Sequence, residues 1–163
     1  MNVLVAFASK HGATREIAEA IGRALDAQGV DATVTAAGDV EAVDGYDAFV
    51  IGSAVYVGHW MREAEELVAQ HAAVLCTRPT WLFSSGPLGD PPKPDESHAV
   101  DVTDVVSSTG AREHRLFAGK IDKDALGFGE RAVMLAVRAP DGDYRNWDEI
   151  DAWAREIAAA LRS

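Results

Sequence analysis

A disulfide within the chain is excluded, because Cys76 is its only cysteine; that usage fits a reducing compartment. Cys76 follows the end of a predicted helix, where it reads as a small buried hydrophobe. Positive charge is also scarce. Lys and Arg number 15 against 26 Asp and Glu, a formal charge of −11. Such a surface repels nucleic acid, whose phosphates need clustered cations, and suits docking to a basic partner protein. No apolar run approaches the roughly 20 residues that span a bilayer. Met1-Asn2 leads directly into a predicted strand rather than a secretion signal, so a cytoplasmic location is expected. His11, His59, His71, His98 and His114 lack metal-ligand spacing and no acid–base dyad stands out, so no metal is expected. Both common nucleotide motifs, G-x-G-x-x-G and G-x-x-x-x-G-K-[ST], are missing.

The 163 residues show neither internal repeat nor linker and are 48% apolar and 25% charged, the profile of one domain, 1–163, with a core of its own. The chain is organised around its first 28 residues. Val3 to Ala8 is an uncharged apolar run, suited to a strand buried on both faces of a parallel sheet. Ile17, Ala18, Ile21 and Leu25 recur at helical spacing, and Gly29 supplies the stop. Between them lies Ser9-Lys10-His11-Gly12-Ala13-Thr14. A hydroxyl-rich loop with a glycine at the start of a helix aims backbone N–H groups at one point, with the positive end of the helix dipole behind them. Such loops bind anions, phosphate above all. Gly12 lets the backbone approach, and Ser9 and Thr14 bring hydroxyl donors; the other reading of Thr14 is a plain N-cap. With both common motifs missing, the phosphate points to a mononucleotide.

Asp31 to Ala36 closes a strand-helix-strand unit, and Asp39 to Val43 is a polar turn or a single helical turn. Asp47 to Gly52 is the third strand, running into the loop Gly52-Ser53-Ala54-Val55-Tyr56-Val57-Gly58-His59-Trp60. In an open parallel sheet, ligands sit beyond the carboxyl ends of the strands where the strand order reverses, so this loop and the first share a site. Its glycines and aromatics suit a flat ring, which needs an apolar face and backbone groups along its edge. Tyr56 or Trp60 would stack there; alternatively Trp60 and Met61 anchor the amphipathic helix that follows, Met61 to Leu75. Thr80 to Ser84 is the fourth strand, and the Gly- and Pro-rich run from Ser85 to Pro94 is a functional or disordered loop. Ser97 to Thr109 reads as a weak helix and Arg115 to Gly119 as the fifth strand. Strands alternating with helices make a doubly wound α/β sheet, with 2-1-3-4-5 the natural order.

Phe7-Ala8-Ser9-Lys10-His11-Gly12-Ala13-Thr14 resembles the FMN phosphate loop of flavodoxins, whose usual form is [ST]-x-[TS]-G-x-T. His11 stands where a hydroxyl residue is common, so one donor must come from its imidazole or from Lys10. The resemblance implies a flavodoxin-like five-stranded parallel sheet and noncovalent FMN, with the phosphate on Ser9, Lys10, His11, Gly12, Ala13 and Thr14. It implies that the isoalloxazine lies against Ser53, Ala54, Val55, Tyr56, Val57 and Gly58, where Gly58 permits a peptide orientation that addresses the flavin N5. On the other side it implies Ser84, Ser85, Gly86, Pro87, Leu88 and Gly89, near the pyrimidine edge. His59 and Trp60 are the side chains expected to face a substrate.

Asp124 to Ala139 reads as an extra helix before the C-terminal one, capped by Asp124 and stopped by Pro140. At about 100° per residue, its apolar residues spread around most of the circumference outside Glu130, Arg131 and Arg138. It therefore has more to bury than one sheet face covers. A homodimer contact, the loop around Pro91, or a membrane surface or lipophilic substrate would cover the excess; Gly127 and Gly129 would instead shorten the helix. Asn146-Trp147-Asp148-Glu149 caps the last helix, which is expected to bury Trp147, Ile150, Trp153, Ile157 and Leu161.

Phe117-Ala118-Gly119, Leu126-Gly127-Phe128 and the run from Ala136 to Trp147, with Gly58-His59, resemble the flavodoxin-type, menaquinone-dependent protoporphyrinogen IX dehydrogenases. That resemblance implies an FMN oxidoreductase passing electrons from a lipophilic substrate such as a porphyrinogen to a quinone, in the cytoplasm or peripherally at the inner face of the membrane. A soluble flavodoxin carrier between redox proteins is the alternative, favoured by the acidic surface. A flavin-free interaction module is a third, which the fold alone permits. Its receiver-type forms need acidic clusters at strand ends that here carry Ser, Gly and aromatic residues.

Overall fold

The computed structural model describes residues 1–10, 12–56, 58–86, 102–118, 120–121, 142–143 and 145–163. Strand β1 (Asn2–Ala8) leads into helix α1 (Ala13–Ala27), then β2 (Asp31–Ala36) and a 3-10 turn, Ala37–Asp39. β3 (Ala48–Tyr56) is followed by a two-residue strand β4 (His59–Trp60), helix α2 (Arg62–Leu75) and β5 (Thr80–Gly86). Next come α3 (Thr103–Thr109), β6 (Glu113–Ala118), the short strands β7 (Lys120–Ile121) and β8 (Gly142–Asp143), and α4 (Trp147–Arg162). The main sheet runs β2-β1-β3-β5-β6 and all its neighbours are parallel, so its five long strands stand in the expected order 2-1-3-4-5.

Alternation along the strands sends side chains to two cores. Val3, Val5, Val50, Phe83 and Phe117 meet Ile17, Ile21, Leu25, Ile150, Trp153 and Ile157 of α1 and α4. Leu4, Ala6, Phe49, Ile51 and Leu82 meet Ala64, Leu67, Val68, Leu75 and Val105 of α2 and α3. Burial of both faces explains why β1 and β3 read as unbroken apolar runs. Gly29, at φ 83°, ends α1 as expected, its N–H bonding Asp26 O while Val30 N–H returns to Leu25 O. The Asn146 side chain accepts from Glu149 N–H at the start of α4.

Several expectations are corrected. Ser53 to Tyr56 are not loop: β3 continues through them and turns back at Gly58 (φ 78°) into β4, pairing Val55 with Trp60 and Tyr56 with His59. The β-branched and aromatic residues favour the hairpin, and the glycine permits its turn. β5 likewise extends through Ser85 and Gly86. Trp147 is 40% exposed rather than buried, because at the first position of α4 it lies to the side of the core. Cys76 is exposed, one residue past the α2 turns that face the sheet. The extra helix expected at 124–139 lies outside the described residues.

Gly52 ends its apolar run because of a partner across the sheet and not because the strand stops. It pairs with Phe83, and a Cβ at position 52 would sit 2.0 Å from Phe83 Cζ. That ring cannot retreat, since Phe117 and Trp153 each stand 6.1 Å from its centre. Gly52→Ala is expected to cost about 1–3 kcal/mol through overpacking, seen as a lower urea midpoint; an unchanged midpoint would mean that the ring yields freely.

Candidate cofactor site

The carboxyl ends of β1, β3 and β5 lie side by side, with Ala8 paired to Ser53, Ser53 to Ser84 and Ala54 to Ser85. Beyond β1 the chain turns through Ser9, whose Oγ accepts the Gly12 N–H at 3.0 Å, closing the loop on itself. Gly12 holds φ 87°, a left-handed conformation that suits glycine, and a Cβ there would meet nothing within 4 Å. Among the described residues no side chain caps α1. Glu16 N–H bonds Gly12 O, while the N–H groups of Ala13, Thr14 and Arg15 have no capping side chain among the described residues.

Two buried hydroxyls mark the same edge. Thr14 is 1% exposed and Ser85 5% exposed, and neither side chain makes a hydrogen bond among the described residues. A buried hydroxyl without a partner costs about 1–3 kcal/mol, and both sit where a polar ligand at the strand ends would supply one. The uncapped helix, the left-handed Gly12 and the orphaned Thr14 hydroxyl together fit a phosphate monoester. Lys10 is exposed and Ala13 half-buried in the same loop. His11 lies outside the described residues.

The residues expected to flank a ring divide. Ser53 is buried, its hydroxyl donating to Ala54 O (2.8 Å) and accepting from Met61 N–H (2.9 Å), so it fastens α2 to β3 and has no proton left to donate to a ligand. Ala54 and Val55 are half-buried along the end of β3, where Tyr56 follows in the backbone, and Gly58 forms the turn. Gly86 ends β5 with Val55 Cβ 3.6 Å from where its own Cβ would be. Val57, Pro87, Leu88 and Gly89 lie outside the described residues. His59 is exposed on β4. Trp60 is not substrate-facing: it is 4% exposed and packed in the core under α2, because the hairpin turns its ring inward.

Trp60 belongs instead to a polar chain beneath the site that links β4, β5 and β6. Its indole N–H donates to Ser84 Oγ at 2.7 Å, and Ser84 Oγ stands 2.7 Å from His114 Nε2. An indole only donates, so the Ser84 proton is left for a second acceptor, which a neutral imidazole provides. Burial pushes the His114 pKa down from 6.5, favouring that neutral form. The unfolded chain then binds more protons below pH 6.5, so the stability contributed by His114 is complete above that pH. It is lost as pH falls through the lower folded-state value. Melting temperatures between about pH 8 and pH 5 should fall in wild type and less so in His114→Gln; parallel curves would assign the dependence elsewhere.

Strand alternation puts His114 on the same sheet face as Leu116, a signal that could have linked it to Ser84 had the strand pairing been known. Among the described residues no group of three His, Cys, Asp or Glu could hold a metal, and no helix is long and apolar enough to cross a membrane.

Comparison with known proteins agrees with this geometry. The chain is 24% identical over 172 aligned residues to the protoporphyrinogen IX dehydrogenase [quinone] of Escherichia coli K12, covering 97% of this chain and 95% of that protein. Its fold is similar to a flavodoxin from the domain Archaea, with TM-score 0.68, 18% identity and full coverage of both chains. It is also similar to the Streptococcus pneumonia TIGR4 flavodoxin, with TM-score 0.65, 22% identity and 98% and 99% coverage. The flavodoxin domain family profile matches residues 4–148. The chain therefore belongs to the flavodoxin domain family, with FMN as its cofactor and redox chemistry as its general function.

Proposed function

We propose that the chain is an FMN-dependent oxidoreductase that moves electrons between a lipophilic substrate and a quinone, with protoporphyrinogen IX the first substrate to test. The observation that carries the cofactor site is the buried Thr14 hydroxyl, which has no partner among the described residues, at the start of α1, where none of their side chains forms a cap. The likeness to a quinone-linked protoporphyrinogen IX dehydrogenase along nearly the whole of both chains supports the substrate class.

Bound FMN supplies the hydride and electron chemistry. Ser9, Lys10, His11, Gly12, Ala13 and Thr14 hold its phosphate, His11 from outside the described residues. Residues 54–58 and 85–89 flank the ring, chiefly through backbone groups and the Ser85 hydroxyl. Ser53 and Ser84 act behind them, holding β3, β4 and β5 in register. His59, exposed on the hairpin, meets the substrate. The working unit is one domain, 1–163, in the cytoplasm or against the inner face of the membrane, where residues 124–139 contact lipid, substrate or a second copy.

The excess of negative charge favours a second reading, a soluble carrier steered to basic redox proteins. A visible spectrum after FMN addition tests the cofactor, since bound flavin shifts and structures its absorbance. Loaded protein is then given protoporphyrinogen IX and a menaquinone analogue. Oxidation faster than with free FMN supports the enzyme. A rate equal to free FMN, with salt-sensitive reduction of basic partner proteins, supports the carrier.

A further inference from the structure

Arg145 has no part in the cofactor reading above, yet its guanidinium is buried against the first turn of α1. Its side chain is 3% exposed. Nη1 donates to Ala13 O at 3.3 Å and to Glu16 Oε2 at 3.1 Å, and the guanidinium lies 4.6 Å from the centre of the Trp147 ring. At the far end of the same helix pair, Arg162 donates to Gln28 O at 2.9 Å. Helices α1 and α4 thus lie side by side in the same direction, tied at both ends.

The two ties differ in what surrounds them. Glu16 stands in the first turn of α1, where a carboxylate is drawn to the positive end of the helix. A phosphate bound by the uncapped N–H groups and Thr14 draws on that same potential, so the two anions oppose each other. Arg145 pairs with Glu16 and removes the conflict. Buried beside Glu16, the guanidinium is little screened by salt, and its bond to Ala13 O fixes the residue at which the loop passes into α1.

We propose that Arg145 is a positioning residue that sets specificity for a phosphorylated flavin over riboflavin, by neutralising Glu16 and holding Ala13 at the phosphate loop. The proposal rests on the FMN reading. It ties the entry of the C-terminal helix to the charged end of the cofactor, across 132 positions of sequence.

Titration of apo-protein with FMN and with riboflavin, read by quenching of flavin fluorescence, tests it. Arg145→Gln should weaken FMN about tenfold and leave riboflavin unchanged, and Glu16→Gln added to it should restore much of the loss. Glu16→Gln alone should tighten FMN about threefold with no effect on riboflavin, a test that stands even if Arg145→Gln does not fold. Arg162→Gln is the structural comparison: it should lower the melting temperature without changing the FMN-to-riboflavin ratio. Equal losses for both flavins in Arg145→Gln, or an unchanged ratio in Glu16→Gln, would overturn the proposal. Wild-type protein that binds neither flavin would overturn the FMN reading itself.

Discussion

Trp153→Ala is expected to lower stability by about 3–5 kcal/mol, the range for removing a fully buried large aromatic. At about 2–4 °C per kcal/mol for a chain of this size, the melting temperature should drop by roughly 10 °C. Trp153 is fully buried, with Phe117 at 5.4 Å and Phe83 at 6.1 Å between ring centres, so its loss leaves a cavity where three rings and two helices meet. Its indole N–H also donates to Glu113 Oε1 at 2.7 Å. Burial pushes the Glu113 carboxyl up, but hydrogen bonds from Trp153 and Arg115 and the Arg115 charge outweigh it and hold the carboxyl below its ordinary 4.5. The stability this contributes is present above pH 4.5 and lost as pH falls through the folded-state value. Trp153→Phe keeps most of the ring packing and removes the bond, so it should cost less at neutral pH and flatten the acid limb. Urea midpoints at about pH 7 and pH 4 separate the two effects; equal losses in both variants would argue against a cavity.

Thr14→Val should separate binding from folding, with the two moving in opposite directions. Valine has the shape of threonine and a similar helix propensity, so it fills the same space without a buried hydroxyl that lacks a partner. The apo-protein should be as stable as wild type or more stable by up to about 1–3 kcal/mol. FMN should bind about 10- to 100-fold more weakly, because a hydrogen bond to a charged group is worth roughly 1.5–3 kcal/mol. Thermal melts with and without FMN measure both quantities. A destabilised apo-protein with normal affinity would show that the Thr14 hydroxyl serves folding and not the cofactor.

How much could be read beforehand follows from how local each feature is. The β1–α1 unit was legible because its strand, glycine and helix spacing lie within 28 neighbouring residues, and the Gly12 conformation depends on nothing further away. Gly52 misled because its cause, Phe83, stands on another strand; a glycine before Ser-Ala-Val-Tyr looks like the start of a loop. Ser84 reads as a ring-binding hydroxyl until His114, 30 residues on, and Trp60, 24 residues back, occupy it. Thr14 and Arg145 show the same contrast within the site. The hydroxyl belongs to its own loop, whereas the guanidinium reaches that loop only through the packing of α4 on α1. Trp147 shares the helix face of the buried Ile150 and Ala154, so spacing alone reads it as core; at the first position of α4 it lies beyond the sheet's cover and rests against Arg145.

Beyond β6, Lys120 pairs antiparallel with Asp143 and Ile121 with Gly142. These two short strands form a ribbon apart from the main sheet, a narrow gateway that holds residues 121 and 142 side by side. Segments anchored in this way can be exchanged between relatives without moving the strands that cradle the nucleotide.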